Sequence, residues 1–295
     1  MYELVQIGEK SYYFKSPAKI GLYLKNEKEA YLIDSGNDKD AGKKILKVLS
    51  EKGWILKGIL NTHSNADHIG GNQYIQKQTG CKIFSGGIEA VFTEHTILEP
   101  AFLYGGYPCK DLRHKFLMAG ESKVTNFDDK DFPNEIEIIP LEGHFFNQVG
   151  FRIPDGTVFM ADCVSSKETL NKYQIGFIYD VAAYIKTLDN IAKMQGSIFV
   201  PAHTEPVSNM KELAELNKNK VLEIRDKILE ICREPKSFDK VLQELFNTYN
   251  LKLTFEQYAL AGSTVRSYLS WLKDMEIIEV TFNYNMLLWK TVQGR

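Results

Sequence analysis

Thr62-His63-Ser64-Asn65-Ala66-Asp67-His68-Ile69-Gly70-Gly71 is the stretch on which the reading of this chain turns. It follows the apolar run Ile55–Leu60, which reads as a strand, and it precedes a helix that starts after Ile69. Two imidazoles and a carboxylate this close together are ill suited to a hydrophobic core. A strand-to-helix loop can instead aim them at one point, and nitrogen and oxygen donors of this kind suit a divalent cation.

Working upstream, Tyr12-Tyr13-Phe14, Ile20-Gly-Leu-Tyr-Leu24 and Ala30-Tyr-Leu-Ile33 are separated by charged or Gly-bearing turns, so residues 1–35 read as a β meander. Between Asp38 and Gly53, Ile45, Leu46, Val48 and Leu49 recur at helical spacing. Downstream comes a short strand, Lys82–Phe84, and then Ser85–Asp131, which reads as an irregular loop or lid. Strands are expected at Ile136–Pro140, Gln148–Ile153 and Thr157–Met160, a helix at Val181–Met194, and a buried strand Ser197–Val200 leading into Pro201-Ala-His203. A β-rich segment followed by a β/α segment, twice over, predicts an α/β fold: two sheets flanked by helices, a four-layer α/β/β/α sandwich over residues 1–210.

Beyond Pro206 the character changes. Val221, Ile224, Ile228 and Ile231 make one helical stripe, Val241, Leu242, Leu245 and Phe246 a second, and Val265, Tyr268, Leu269 and Leu272 a third. Ile277–Thr281 and Met286–Val292, joined through Asn283-Tyr-Asn285, read as a hairpin. Three helices and a hairpin predict a small winged-helix-like domain over residues 211–295, with Met210–Lys220 as linker or connecting helix.

The bulk numbers agree with one large unit plus a small one: 295 residues, 44% apolar and 25% charged, exclude fibrous and low-complexity classes. A net charge of −2 and a pI near 6.3 give no global field to gather nucleic acid or an anionic membrane, so such a partner needs a local patch. The first residues lack a basic start followed by an apolar run, and no later stretch approaches the roughly 18 apolar residues of a membrane span. A cytoplasmic location without a membrane partner is the expectation. Cys81, Cys109, Cys163 and Cys232 form no C-x-x-C pair and read as reduced, mostly buried thiols.

Further along stand Gly143-His144, Met160-Ala-Asp162 and Pro201-Ala-His203, and upstream stands Leu32-Ile-Asp34-Ser-Gly36. Singly, His144 or His203 is more often an ordinary hydrogen-bonded histidine and Asp162 a turn residue. In this order, together with Thr62–Gly71, they resemble the metallo-β-lactamase-like superfamily of metallohydrolases over residues 10–205. The family's H-x-H-x-D-H signature stands here as His63, Asn65, Asp67 and His68. The resemblance implies a first metal site at His63, position 65 and His144, a second at Asp67, His68 and His203, and Asp162 as the carboxylate joining them. Zinc is the implied metal, one ion held tightly and up to two in all, with iron or manganese as alternatives. Asp34 fits either a carboxylate that orients a ligand or a turn former.

Asn65 departs from the signature: a neutral amide oxygen binds zinc less well than imidazole, so the first site is expected to be the weaker. Asp67, His68, Asp162 and His203 remain a complete cage. A metal so held lowers the pKa of its water toward about 7 and polarises a carbonyl or phosphoryl oxygen. Hydrolysis is therefore expected, with Asp67 as the catalytic residue that holds the attacking water. A small-molecule (thio)ester or lactone is the first choice of substrate. The alternatives are a nucleic-acid phosphodiesterase or ribonuclease, and a degenerate, non-catalytic metal-binding protein. The C-terminal segment is nearly balanced in charge, and its third helix offers only Arg266 and Lys273, too few to neutralise several phosphates. Nucleic acid is not an expected partner, and the module reads as a packing, lid or homodimer-forming element. His95 and His114 lie outside every motif and read as lid or solvent-facing residues, Phe102 and Tyr104-Gly-Gly-Tyr107 as pocket wall or packed loop, and Asp180 as a helix N-cap.

Overall fold

A computed structural model describes residues 2–292. The first half runs β1 (Glu3–Gln6), β2 (Ser11–Lys15), β3 (Ile20–Leu24), β4 (Glu29–Ile33), α1 (Lys39–Lys52), β5 (Ile55–Leu60), α2 (Ala66–Ile69), α3 (Asn72–Thr79) and β6 (Lys82–Phe84). The strands form one sheet in chain order, antiparallel from β1 to β4 and parallel from β4 to β6. Helix α1 is set by its ends: Asp38 accepts the backbone N–H groups of Asp40 and Ala41, each at 3.0 Å, and Gly53 closes it in the left-handed conformation. Its buried Ile45 and Leu49 lie against Leu22, Ala30 and Leu32 of the sheet.

The segment 85–131, read from sequence as irregular, is in good part helical. It holds α4 (Gly87–Glu94), α5 (Leu98–Tyr104) and a short 3-10 turn at Lys110–Leu112. Then follow β7 (Glu137–Pro140), β8 (Val149–Arg152), β9 (Thr157–Phe159), α6 (Lys167–Tyr173), α7 (Val181–Ile191) and β10 (Ile198–Val200). These strands make a second sheet, ordered β10-β9-β8-β7, with β10 parallel to β9. Strand β1 and helix α6 were not expected from the sequence.

Because strand side chains alternate between faces, each sheet buries both sides. Tyr31 and Ile33 of β4 meet Phe151, Phe159 and Val200 of the second sheet, while Ala30 and Leu32 point the other way onto α1 and α3. Val158 and Phe199 face outward onto Tyr184 and Leu188 of α7. The layers are therefore helix, sheet, sheet, helix.

The rest of the chain is α8 (Lys211–Ile231), α9 (Phe238–Thr248), α10 (Phe255–Asp274), β11 (Ile278–Asn283) and β12 (Met286–Thr291), the last two an antiparallel hairpin. The polar segment 210–220 is the first half of α8 and no flexible linker, since Ala214, Asn217 and Val221 are buried on one face. The core of these helices is continuous with the outer face of the second sheet: Val221, Ile224, Ile228, Tyr268 and Leu269 belong to the same cluster as Leu141, Val158 and Phe199. Among the described residues no helix is long and apolar enough to cross a membrane. Cys81, Cys163 and Cys232 are buried and Cys109 exposed, all as free thiols.

Candidate metal centre

Along one edge of the stacked sheets, the loops at their strand ends bring the motif residues together. At the end of β4, Asp34 takes a left-handed turn with φ 64° and buries its carboxylate, 3% exposed. That carboxylate accepts the Thr62 backbone N–H at 2.8 Å, the Thr62 hydroxyl at 2.7 Å and His68 Nδ1–H at 2.8 Å. Asp34 is thus both turn former and orienting carboxylate. Ser35 donates its backbone N–H to the His68 carbonyl at 2.8 Å, which seats α2 on this turn. Gly71 is demanded by that closeness, for a Cβ there would lie 2.4 Å from the Ser35 carbonyl oxygen.

On the second sheet, Gly143 adopts φ 117°, and a Cβ would lie 2.2 Å from the Tyr184 backbone nitrogen. The first turn of α7, capped by Asp180 through the Ala183 N–H at 2.9 Å, packs directly on the residue before His144. Ala161, also left-handed at φ 49°, precedes Asp162, and its carbonyl accepts the Ala202 N–H at 2.9 Å, which fixes His203 beside it.

All four imidazoles are fixed the same way round. His68 gives Nδ1–H to Asp34, His144 gives it to the Phe177 carbonyl at 3.1 Å and His203 to the Pro17 carbonyl at 3.1 Å. Thr62 has spent its hydroxyl hydrogen on Asp34, so it accepts Nδ1–H from His63 at 2.9 Å. Each ring therefore turns Nε2 inward. His203 Nε2 lies 3.1 Å from Asp162 Oδ2 and 3.3 Å from Asp67 Oδ2. His68 Nε2 lies 3.0 Å from Asp162 Oδ1 but outside hydrogen-bond geometry, so both atoms, like His63 Nε2, are buried without a hydrogen-bond partner among the described residues.

Orphaned buried donors and acceptors are costly, and here they converge into two sets that could hold a metal ion. Asp67, His68, Asp162 and His203 form one, and His63, His144 and Asp162 the other, with donor atoms within 4.8 Å of one another in each. Imidazole with carboxylate is the donor chemistry of a zinc-type site, so the residues fit the ion that the sequence resemblance implies.

Electrostatics divide the histidines. Burial holds His63 and His144 below the usual imidazole range. It acts the same way on His68, but Asp162, Asp67 and Asp34 outweigh it and raise that ring. Asp162 above all raises His203 to about 10. Burial opposes ionisation of Asp67, yet His68 and His203 hold its carboxyl at about 2. Asp67 and Asp162 thus favour positive charge at His68 and His203, where a metal ion would compete with a proton.

Two carboxylates at the site escaped the sequence reading. Glu89 on α4 accepts Ser64 N–H at 3.0 Å, the Ser64 hydroxyl at 2.6 Å and Asn147 N–H at 2.8 Å; burial raises it to about 7. Glu99 on α5 accepts the side-chain N–H of Asn65 at 2.8 Å, and burial raises it well above its usual range. His95 is exposed at the end of α4, and His114 lies 3.7 Å from Glu256, both apart from the metal sets. Phe102 joins Phe92, Phe145, Phe146 and Tyr179 in an aromatic cluster, whereas Tyr104 packs on Phe255 and Tyr107 is exposed.

Residues 20–203 match the sequence profile of the Metallo-beta-lactamase superfamily, and the chain belongs to that family. A hydroxyacylglutathione hydrolase from Cereibacter sphaeroides is 27% identical over 114 residues, 39% of this chain and 36% of that protein. Another, from Methylococcus capsulatus, is 44% identical over 39 residues, 13% of this chain and 15% of that protein. The chain thus spans well under half the length of these curated relatives. A beta-lactamase domain protein from Burkholderia ambifaria superposes with a TM-score of 0.68 at 14% identity, over 98% of this chain and 94% of its own. A metallo-beta-lactamase family protein from Thermus thermophilus does so with a TM-score of 0.68 at 16% identity, over 98% and 97%. These two likenesses concern the fold, and at such coverage they extend over the C-terminal helices as well.

Proposed function

We propose that this chain is a zinc-type metallohydrolase acting on a small (thio)ester or lactone, with His63, Asn65, Asp67, His68, His144, Asp162 and His203 around the metal. The observation that carries the reading is the inward convergence of four Nε2 atoms on Asp67 and Asp162. When bound there, a divalent ion acidifies a water and polarises the carbonyl under attack. Asp67 is the more exposed of the two carboxylates, 38% against 12% for Asp162. Held ionised, its Oδ2 can accept a hydrogen bond from the attacking water and pass the proton on.

A narrow cavity opens on His144, Asp162 and His203, and its walls set Ser165, Gln174, Asn217 and Lys220 beside the apolar Val164, Leu170, Phe177, Val221 and Ile224. Walls of this kind suit an acyl group, and the hydroxyacylglutathione hydrolases among the relatives support a thioester. The test is a turnover screen of acyl thioesters, lactones and phosphodiesters on metal-analysed protein. Turnover of the thioester or lactone set is expected; turnover of phosphodiesters alone, or none with full metal, would overturn the reading.

We further propose a division into a catalytic part, residues 1–210, and a winged-helix-like part, 211–295, supported by the order of three helices and a hairpin. The hairpin tip exposes Phe282, Tyr284 and Met286, while the hairpin's one basic side chain, Lys290, stands at its other end opposite Glu279; an apolar tip without basic side chains favours a homodimer contact over nucleic acid.

Unequal sites are part of the proposal. The set with Asp67 has four strong donors, whereas the set with Asn65 has two imidazoles, a shared carboxylate and an amide. About one tightly held zinc per chain is expected after dialysis, rising toward about two in Asn65→His. Elemental analysis checks this, and two equally retained ions in the unaltered chain would contradict it.

A further inference from the structure

Glu99 and Asn65 meet beside the centre in an arrangement that the hydrolytic chemistry does not require. Glu99 is 5% exposed, and its Oε1 takes the Asn65 Nδ2–H at 2.8 Å. That contact decides which end of the amide faces the centre: Oδ1 turns toward His144, 3.2 Å from Nε2. His144 has given its Nδ1–H to the Phe177 carbonyl, and a neutral imidazole carries only one N–H. A neutral ring can therefore serve only one of its two acceptors, and with Nδ1–H on the Phe177 carbonyl the Nε2 and Oδ1 lone pairs face each other. Asp162 Oδ2 adds another acceptor 3.7 Å from His144 Nε2, and His63 Nε2 is buried without a partner among the described residues. Acceptors gathered in this way, away from water, are stable around a cation and costly without one.

We propose that Glu99 is a positioning residue for the metal centre, holding the Asn65 amide so that its oxygen serves as a donor to the ion shared by His63, His144 and Asp162. Charged or neutral, Glu99 keeps an oxygen that can accept, and while Oε1 takes the Nδ2–H the amide nitrogen is pinned outward and Oδ1 is left to the metal. The opposite arrangement has a protonated Glu99 donating to Oδ1 and the amide N–H closing on His144 Nε2. It gives a site that takes no ion. The inference rests on the metal-centre reading and is independent of the substrate.

The test is a titration of the full-length, metal-stripped chain with zinc alone, in competition with a chromophoric chelator. Two steps are expected. Glu99→Met keeps the length of the side chain but removes the acceptor, and should weaken the second step about 10- to 100-fold while leaving the first unchanged. Glu99→Gln, whose carbonyl can still accept from Asn65, should retain the second step. In an Asn65→Ala background, Glu99→Met should bring no further loss. Equal weakening of both steps, an unchanged second step, or additive loss in the Asn65→Ala background would each overturn the proposal. Should Glu99→Met not fold, the side-chain amide resonance of Asn65 in the unaltered chain decides: it is expected to shift during the second step, and a resonance that stays put overturns the proposal. A chain that takes up one zinc at every concentration overturns it while leaving the Asp67 site intact; a chain that takes up none overturns the metal-centre reading with it.

Discussion

An Asp67→Ala chain is expected to retain no tightly bound metal and no measurable turnover, and His68→Ala the same. Asp67 offers an ionised oxygen 3.3 Å from His203 Nε2, and His68 a fully buried imidazole whose Nε2 has no other use. Changes beside a metal ligand already cost about 10- to 100-fold in affinity, so loss of a ligand should cost more. Losing the water's acceptor removes a further factor of about 10² to 10⁴ from the rate. The two variants differ in stability. Asp67 is partly exposed and its removal leaves the fold intact. His68→Ala takes one donor from the buried Asp34 carboxylate, which keeps the Thr62 N–H and hydroxyl, a loss worth about 1–3 kcal/mol, so its melting temperature should fall as well. Elemental analysis and turnover on the best substrate check both, and unaltered turnover in either would sink the assignment.

Deleting residues 211–295 is expected to give insoluble protein or one of altered association state, although every proposed ligand remains. The outer face of the second sheet carries Leu141, Val158 and Phe199, in the same cluster as Val221, Ile224, Ile228 and Tyr268 from α8 and α10. Each large apolar side chain contributes about 1.5–3 kcal/mol on burial. Exposing a handful therefore rivals the 5–15 kcal/mol or so by which a domain is stable at all. The deletion also strips α5 of its contacts with α10, where Leu103 packs with Ala259. A truncated chain that stays soluble, with unchanged size-exclusion behaviour and melting temperature, would refute this.

Much of this architecture could be read from the sequence. Ala30-Tyr-Leu-Ile33 and Ser197–Val200 are apolar on both faces, as strands sandwiched between layers must be. The seven motif positions stood out only jointly: His144, Asp162 and His203 are unremarkable singly and gain their meaning from their order after Thr62–Gly71. The helices of 85–131 were obscured for particular reasons. In α4, Ile88 and Val91 are exposed while Glu89 is buried, which inverts the usual pattern. Pro100 near the start of α5 looks like a break, although the first turn of a helix tolerates it. Glu99 carried no signal at all, because nothing local tells a buried glutamate from a solvated one. In α8 the buried position between Ala214 and Val221 is Asn217, bonded to the backbone of Ser165, so the stripe is broken by a polar residue that has its partner elsewhere.

Each sheet is drawn from one uninterrupted stretch of chain, β1–β6 within residues 3–84 and β7–β10 within 137–200. Contacts within each stretch are close in sequence and carry little loop-closure penalty, so the two halves can mature in the order of synthesis. His63, Asp67 and His68 arrive with the first half, and His144, Asp162 and His203 with the second. A nascent chain therefore displays half a chelator for as long as the second sheet is missing. The full cage exists only after the seam has closed through contacts such as Val149 N–H to the Thr62 carbonyl and Lys19 N–H to the Ala202 carbonyl, each 2.9 Å. Capture of an ion at this candidate site would then have to follow closure of the seam. It would stabilise the closed arrangement of the two sheets by mass action on the assembled state alone, instead of templating either of them.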